Sequence, residues 1–258
     1  MGSPSGRSTS ALLLGYIVAL GFALGKAEPA SAANIAVSPV NIDLARAGQS
    51  ALLTLTNVGG TGVTYSLGVY SWDQGESGVM QLAKTGDIIF FPEILPLRPG
   101  ERRNVRLGTE LAPGDVEKTY RLVLDELPAA HTTQRGPEVR VLTRITIPVF
   151  LAPVSSHEQV DVSDIALRKG IMAFRITNTG NVHVQPRLTV TAHDAGRRVV
   201  YDLGPQTIWY ILANGYRDVK VTLPAKTCAS VRSLGLSVEM GALVIKREVS
   251  TPVGACAS

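Results

Sequence analysis

Few side chains in this sequence are suited to bond-making chemistry, and their spacing keeps them apart. The four histidines, His131, His157, His183 and His193, are the natural candidates for metal ligation or acid–base work. Nothing in their spacing fixes three ligands together. His183 and His193 would meet only if their strands were neighbours, with Asp194 beside them. Asp125 and Glu126 are adjacent, so a strand turns them to opposite faces and makes them a poor acid–base pair. There is no Gly-x-Ser-x-Gly elbow, no phosphate-cradling glycine loop and no cysteine with a sequence-local histidine. No enzyme, metal site or cofactor is expected. Binding is the chemistry left.

The residues best placed for binding lie in Val139–Pro153, VRVLTRITIPVFLAP. Val139, Val141, Thr143, Ile145 and Ile147 fall two apart, so a strand puts all five on one face. Pro148 has no N–H to give a ladder, so the strand is an edge there or ends there. A long apolar strand with an open edge invites another chain to pair with it. The alternative is that these residues fill the protein's own core.

The elements that must position this stretch read as short strands. Ala51–Thr56, Val63–Tyr70, Asn104–Leu107, Tyr120–Leu124, Met172–Ile176, Arg187–Ala192 and Val219–Leu223 are runs of β-formers separated by Gly, Asn, Asp and Pro. No stretch sustains a capped helical period. An all-β sandwich is expected. An internal echo suggests two of them. Leu52–Gly59 resembles Met172–Gly180, both running from an alternating strand into Thr-Asn-x-Gly. Thr64–Val69 corresponds to Gln185–Val190, and Leu97–Val105 to Leu212–Val219, with Gly100 opposite Gly215. The boundary is expected near Pro153, giving domains at 33–153 and 154–258.

The chain opens with the pattern of an export signal over residues 1–32. Arg7 precedes an apolar run from Ala11 to Leu24, and Ala30-Ser31-Ala32 is a small-residue cleavage site. That run is shorter than the roughly 20 residues that span a bilayer. An uncleaved signal anchor is the alternative; after signal removal no stable membrane insertion is expected. In an exported chain the two cysteines, Cys228 and Cys256, favour one disulfide over two free thiols. The formal net charge of +4 is carried without any long block of one sign. Basic residues are not interleaved with aromatics, so no nucleic-acid partner is expected.

An ordered series of motifs from Ile35 to Pro153 resembles the periplasmic chaperones of chaperone–usher pilus assembly. It comprises Val37-Ser38-Pro39 opening the first strand, Leu53–Asn57 before a Gly turn, and Trp72 after the third strand. Thr85–Pro92, Leu97–Glu101, Val105–Leu107 and Glu117–Leu122 follow, and the strand ending at Pro153 completes the series. Thr177–Gly180 and Trp209–Gly215 extend the likeness more loosely. The resemblance implies two immunoglobulin-like β-sandwiches in an L or boomerang arrangement. It also implies a periplasmic location in a Gram-negative cell. The partners implied are pilus or fimbrial subunits, which such a chaperone completes by donor-strand complementation, and an outer-membrane usher. Val139, Val141, Thr143, Ile145 and Ile147 are then the donor-strand candidates.

The family's usual carboxylate anchors, an Arg on the first strand and a Lys on the last, align here with Asn41 and Pro148. The anchor is therefore missing or relocated, and the chain more closely resembles the divergent branches of the family, including those serving spore-coat-U-like subunits. Arg106, Arg121 and Arg144 are candidates to replace it, because guanidinium suits bidentate carboxylate recognition. Arg144, on the strand face opposite the apolar set, is expected to point towards a cleft between the domains. A stand-alone exported adhesion or structural protein with two such domains is the competing class.

Overall fold

The structure, a computed structural model, describes residues 2, 34–128, 141–251 and 255–256. The export-signal stretch at 3–32 and the donor candidate Val139 lie outside the described residues. No helix among those described is long and apolar enough to cross a membrane.

The regular elements of the described chain are almost all strands. In order, the first ten are β1 (Ile35–Ser38), β2 (Ile42–Leu44), β3 (Ser50–Asn57), β4 (Val63–Gln74), β5 (Met80–Lys84), β6 (Ile89–Phe91), β7 (Ile94–Leu97), β8 (Arg102–Gly108), β9 (Lys118–Glu126) and β10 (Arg144–Leu151). They form two facing sheets, one ordered β1-β3-β8-β6 and the other β2-β10-β9-β4-β5, with β7 added on β4. Alternation explains the layering. Leu53 and Leu55 from β3 and Val105 and Leu107 from β8 face Tyr65, Leu67, Leu122, Leu124, Ile147 and Val149 across a buried core. Between Ser38 and Ile42 the chain leaves the first sheet for the second, so the motif Val37-Ser38-Pro39 closes the first strand instead of opening it. Trp72 lies inside β4, which runs on to Gln74, rather than after it.

The remaining strands are β11 (Val160–Arg168), β12 (Ile171–Asn178), β13 (Arg187–His193), β14 (Val199–Asp202), β15 (Gln206–Thr207), β16 (Tyr216–Thr222), β17 (Ser233–Met240) and β18 (Leu243–Ser250), with one short helix, α1 (Ala225–Cys228). They build a sheet β11-β12-β16 against a sheet β14-β13-β17-β18, with β15 added on β13. A separate core of Met172, Phe174, Ile176, Val190, Leu236 and their neighbours fills the space between. Cys228 and Cys256 are joined as a disulfide, which ties the chain's end to α1.

The echo between the halves has a structural basis in two asparagines. Asn57 and Asn178 are buried at the ends of β3 and β12. The Asn57 side chain donates to Thr61 O at 2.8 Å and Leu97 O at 3.2 Å, and accepts from Gly59 N at 2.9 Å. Asn178 donates to Val182 O and Ile211 O at 2.8 and 2.9 Å, and accepts from Gly180 N at 2.9 Å. Each amide thus stitches its own turn to the strand connection opposite. The second alignment is one residue off: Leu97 corresponds to Ile211, not Leu212. Gly180 must remain glycine, since a Cβ there would lie 2.2 Å from His157 O. Replacing either asparagine by Ala leaves two carbonyls and one N–H short of partners in a dry site. Each change should destabilise its sandwich by about 2–4 kcal/mol in denaturant unfolding, and Asp should not rescue it, because it lacks the two donors.

Candidate functional site

Pro148 marks a step in the environment of β10. From Arg144 to Leu151 the strand pairs antiparallel with β9, with Pro148 opposite Arg121. On its other side β2 pairs with it in parallel only at Val149, Phe150 and Leu151. Ahead of Pro148, β10 has no strand partner on that side among the described residues. So the strand neither ends at the proline nor is an edge throughout: it is an edge before it and an interior strand after it. A proline fits that junction, because it needs no ladder acceptor for an N–H it lacks.

The donor candidates fall on both sides of this step. Val141 is exposed at 57%, ahead of the strand together with exposed Leu142. Thr143 donates its backbone N–H to Glu126 Oε2 at 3.0 Å. Ile145 is partly exposed and packs against the first core, whereas Ile147 is 5% exposed and sits within it. The alternation is therefore real, but one face serves two ends. Its later members fill this protein's own sandwich, and Val141 does not.

The three arginine candidates do not converge. Arg106 is exposed on β8, in the other sheet, beside Phe91. Arg144 is exposed and held by Asp125, with Nη2 at 3.0 Å from Oδ2 and Nε on Oδ1. That hydrogen bond, with the charge behind it, raises its pKa. Instead of pointing into an interdomain cleft, it forms a surface ion pair. Glu126, next to Asp125, points elsewhere, as adjacent strand residues must.

Arg121 is different: at 1% exposure it is among the most buried side chains in the chain. It lies on the face of β9 turned away from the first core, a face covered by residues of the second sandwich. Trp72 from β4, Phe150 from β10 and Leu212 form a small third core, with Tyr210 against it. The guanidinium carbon stacks 3.7 Å from the centre of the Trp72 ring, and lies 5.5 and 5.6 Å from those of Trp209 and Tyr210. Its Nε and Nη2 have no hydrogen-bond partner among the described residues. Burial pushes its pKa down, opposed by the neighbouring Tyr210. A buried cation with two idle donors is suited to receive an anion.

Around this cage the two sandwiches are held by polar contacts. Gln74 donates to Tyr210 O at 2.7 Å and accepts from Leu212 N at 2.9 Å. Glu117 takes the backbone N–H of His183 and contacts its Nδ1, both at 2.8 Å, and the imidazole stacks on Phe150 at 3.7 Å. His193 lies on β13, and Asp194 binds Arg198. His183 and His193 thus have different surroundings, and no cluster among the described residues could hold a metal. Sequence reasoning did not single out Trp209, Tyr210 or His183 for this role. The one local signal was an arginine within the otherwise apolar run Tyr120–Leu124.

Residues 34–156 match the family of pili and flagellar-assembly chaperones, PapD N-terminal domain. This segment belongs to that family of pilus chaperones. The family is one of chaperones, not of enzymes. No curated protein matches. Among solved structures, the chain is similar to the CsuC–CsuE chaperone–tip adhesion subunit pre-assembly complex of Acinetobacter baumannii. There the identity is 18%, the cover 85% of this chain and 100% of that one, and the TM-score 0.53. The E. coli chaperone DraB matches at 14% identity over 87% of this chain and 99% of its own, with a TM-score of 0.53. The Salmonella enterica SafA pilin–SafB chaperone complex matches at 10% identity, covering 84% and 96%, again with a TM-score of 0.53. These likenesses establish the two-domain immunoglobulin-like fold for both sandwiches.

The state of Arg121 has a measurable consequence. A buried arginine that holds a fold together costs about 3–5 kcal/mol when its partners are stranded by truncation. Among the described residues no hydrogen-bond partner of Arg121 Nε or Nη2 would be stranded, and Met keeps its length without the desolvated charge. Arg121→Met should therefore unfold at an equal or higher denaturant concentration than the unmodified protein.

Proposed function

We propose that this chain is a periplasmic chaperone that binds pilus subunits by donor-strand complementation and hands them to an outer-membrane usher. The observation that carries the reading is the side of β10 before Pro148, unpaired among the described residues, continuing back in sequence to exposed Val141. A subunit lacking one strand of its sandwich needs a strand with free backbone groups and apolar side chains at every second position. Val139, Val141 and Thr143 are the residues offered to it, with Ile145 shared between the subunit and the chaperone's own core. Ile147 stays in the first core.

In this reading Arg121 receives the subunit's C-terminal carboxylate. It replaces the positions occupied by Asn41 and Pro148, and Pro148 is its direct neighbour on β10. Its desolvated guanidinium gives a charge-assisted pair far more strength than a surface arginine would. Arg106 and Arg144 have no such part: one is on the wrong sheet and the other is already paired. A chaperone of this kind needs no nucleotide or metal. Export by the N-terminal signal would bring it to its subunits.

The test is co-expression with the pilus subunit encoded beside it, followed by recovery of the complex. Each aliphatic side chain inserted contributes about 1.5–3 kcal/mol. Val141→Asp should thus lower subunit affinity at least roughly thirtyfold while circular dichroism and unfolding stay unchanged. Arg121→Met should lower it by a similar factor. Unchanged subunit recovery with Val141→Asp would sink strand donation.

A further inference from the structure

The guanidinium of Arg121 is enclosed by several aromatic side chains, of which one is itself exposed. At 1% exposure the guanidinium cannot be reached by a carboxylate without movement of its surroundings. Trp72, also 1% exposed, forms the floor. Tyr210 is fixed through its carbonyl by Gln74. Trp209 is 51% exposed, packs edge-on against Tyr210 with ring centres 5.2 Å apart, and lies 5.5 Å from the guanidinium. It is the solvent-side wall of the cage. It is also the wall with least to hold it, because more than half of its surface makes no protein contact.

We propose that Trp209, supplied by the second sandwich, is a gate over Arg121 that must swing aside before a carboxylate can bind. The inference rests on reading Arg121 as the carboxylate's partner. It gives the second sandwich a task at a site whose arginine belongs to the first. Displacing the indole exposes Nε and Nη2 together, so the incoming group can take two parallel hydrogen bonds. It also removes one cation–π contact, which the anion replaces. A terminal carboxylate is favoured over an internal side chain because the opening is bounded on the strand side by Pro148 and Tyr70, the residues flanking Arg121 across the sheet.

Arginine-directed labelling with phenylglyoxal, read by peptide mass mapping, tests the gate directly. Exposed Arg102 serves as the internal standard in the full-length chain. Arg121 should label at least about tenfold more slowly than Arg102, since labelling waits on local opening. Trp209→Ala should remove most of that difference, and Trp209→Phe should leave an intermediate rate. Equal labelling of Arg121 in the native chain and Trp209→Ala, with both folded by circular dichroism, overturns the gate.

The same labelling on the purified complex with a co-expressed subunit separates the gate from the anchor. Protection of Arg121 in the Trp209→Ala complex supports both. Accelerated labelling in free Trp209→Ala without protection by the subunit leaves the gate standing and overturns the anchor. The chain has only two tryptophans, Trp72 and Trp209, and both flank this guanidinium. Indole emission is therefore a built-in second readout. Trp209→Phe leaves Trp72 as sole reporter, and its emission should shift when subunit binds; an unchanged spectrum counts against occupancy of the cage.

Discussion

The covering of one face of a sheet by the second sandwich is the constraint on which the rest of this structure turns, and it dries out the Arg121 guanidinium. The outer face of the β10-β9-β4 sheet would be an ordinary solvent face if the second sandwich did not cover it. Trp72, Phe150, Leu212 and Tyr210 close over that face, and β9 becomes buried on both sides from Tyr120 to Leu124. Removing the charge of Arg121 from water is unfavourable by several kcal/mol, offset here in part by the Trp72 ring. The contacts of Gln74 and Glu117 with the second sandwich keep the cover in register.

Much of the architecture could be read from residue spacing. Six of the seven strand runs picked out by alternation lie wholly in strands, because a two-residue period on half-buried sheets leaves little ambiguity; Val219–Leu223 overruns β16 by one residue. The duplication was also visible, since buried asparagines must satisfy the same geometry in both halves. Errors came where local pattern and tertiary partner disagree. Pro148 allows either an edge or a strand end, because a proline removes a donor, whereas β10 neither ends there nor is an edge throughout. The strand continues because β2 joins only at the next residue. Trp72 falls after the expected strand because the run of β-formers weakens there, although β4 carries on to Gln74.

The site was less legible for a physical reason. Arg106, Arg121 and Arg144 are equivalent in sequence: each is a charged residue among strand formers. What distinguishes them is whether something covers them, and the cover for Arg121 comes from residues about ninety positions later in the chain. Ile147 and Val141 likewise share one alternation and differ only in whether the sandwich extends far enough to bury them. Periodicity reports a face, not the point along it where the core stops.

If a subunit strand pairs along β10 as proposed, the step at Pro148 makes that edge a ruler. A strand laid along the free side of β10 can pair as far as Ile147 and is then halted, because β2 occupies that side from Val149 onward. Two adjacent features, an occupied edge and a single buried cation opposite the proline, would limit how far an added strand can slide. A one-residue slip would turn its apolar side chains outward and carry its terminal carboxylate off the arginine. Phase along such a strand, as well as affinity, would then be set by where β2 begins.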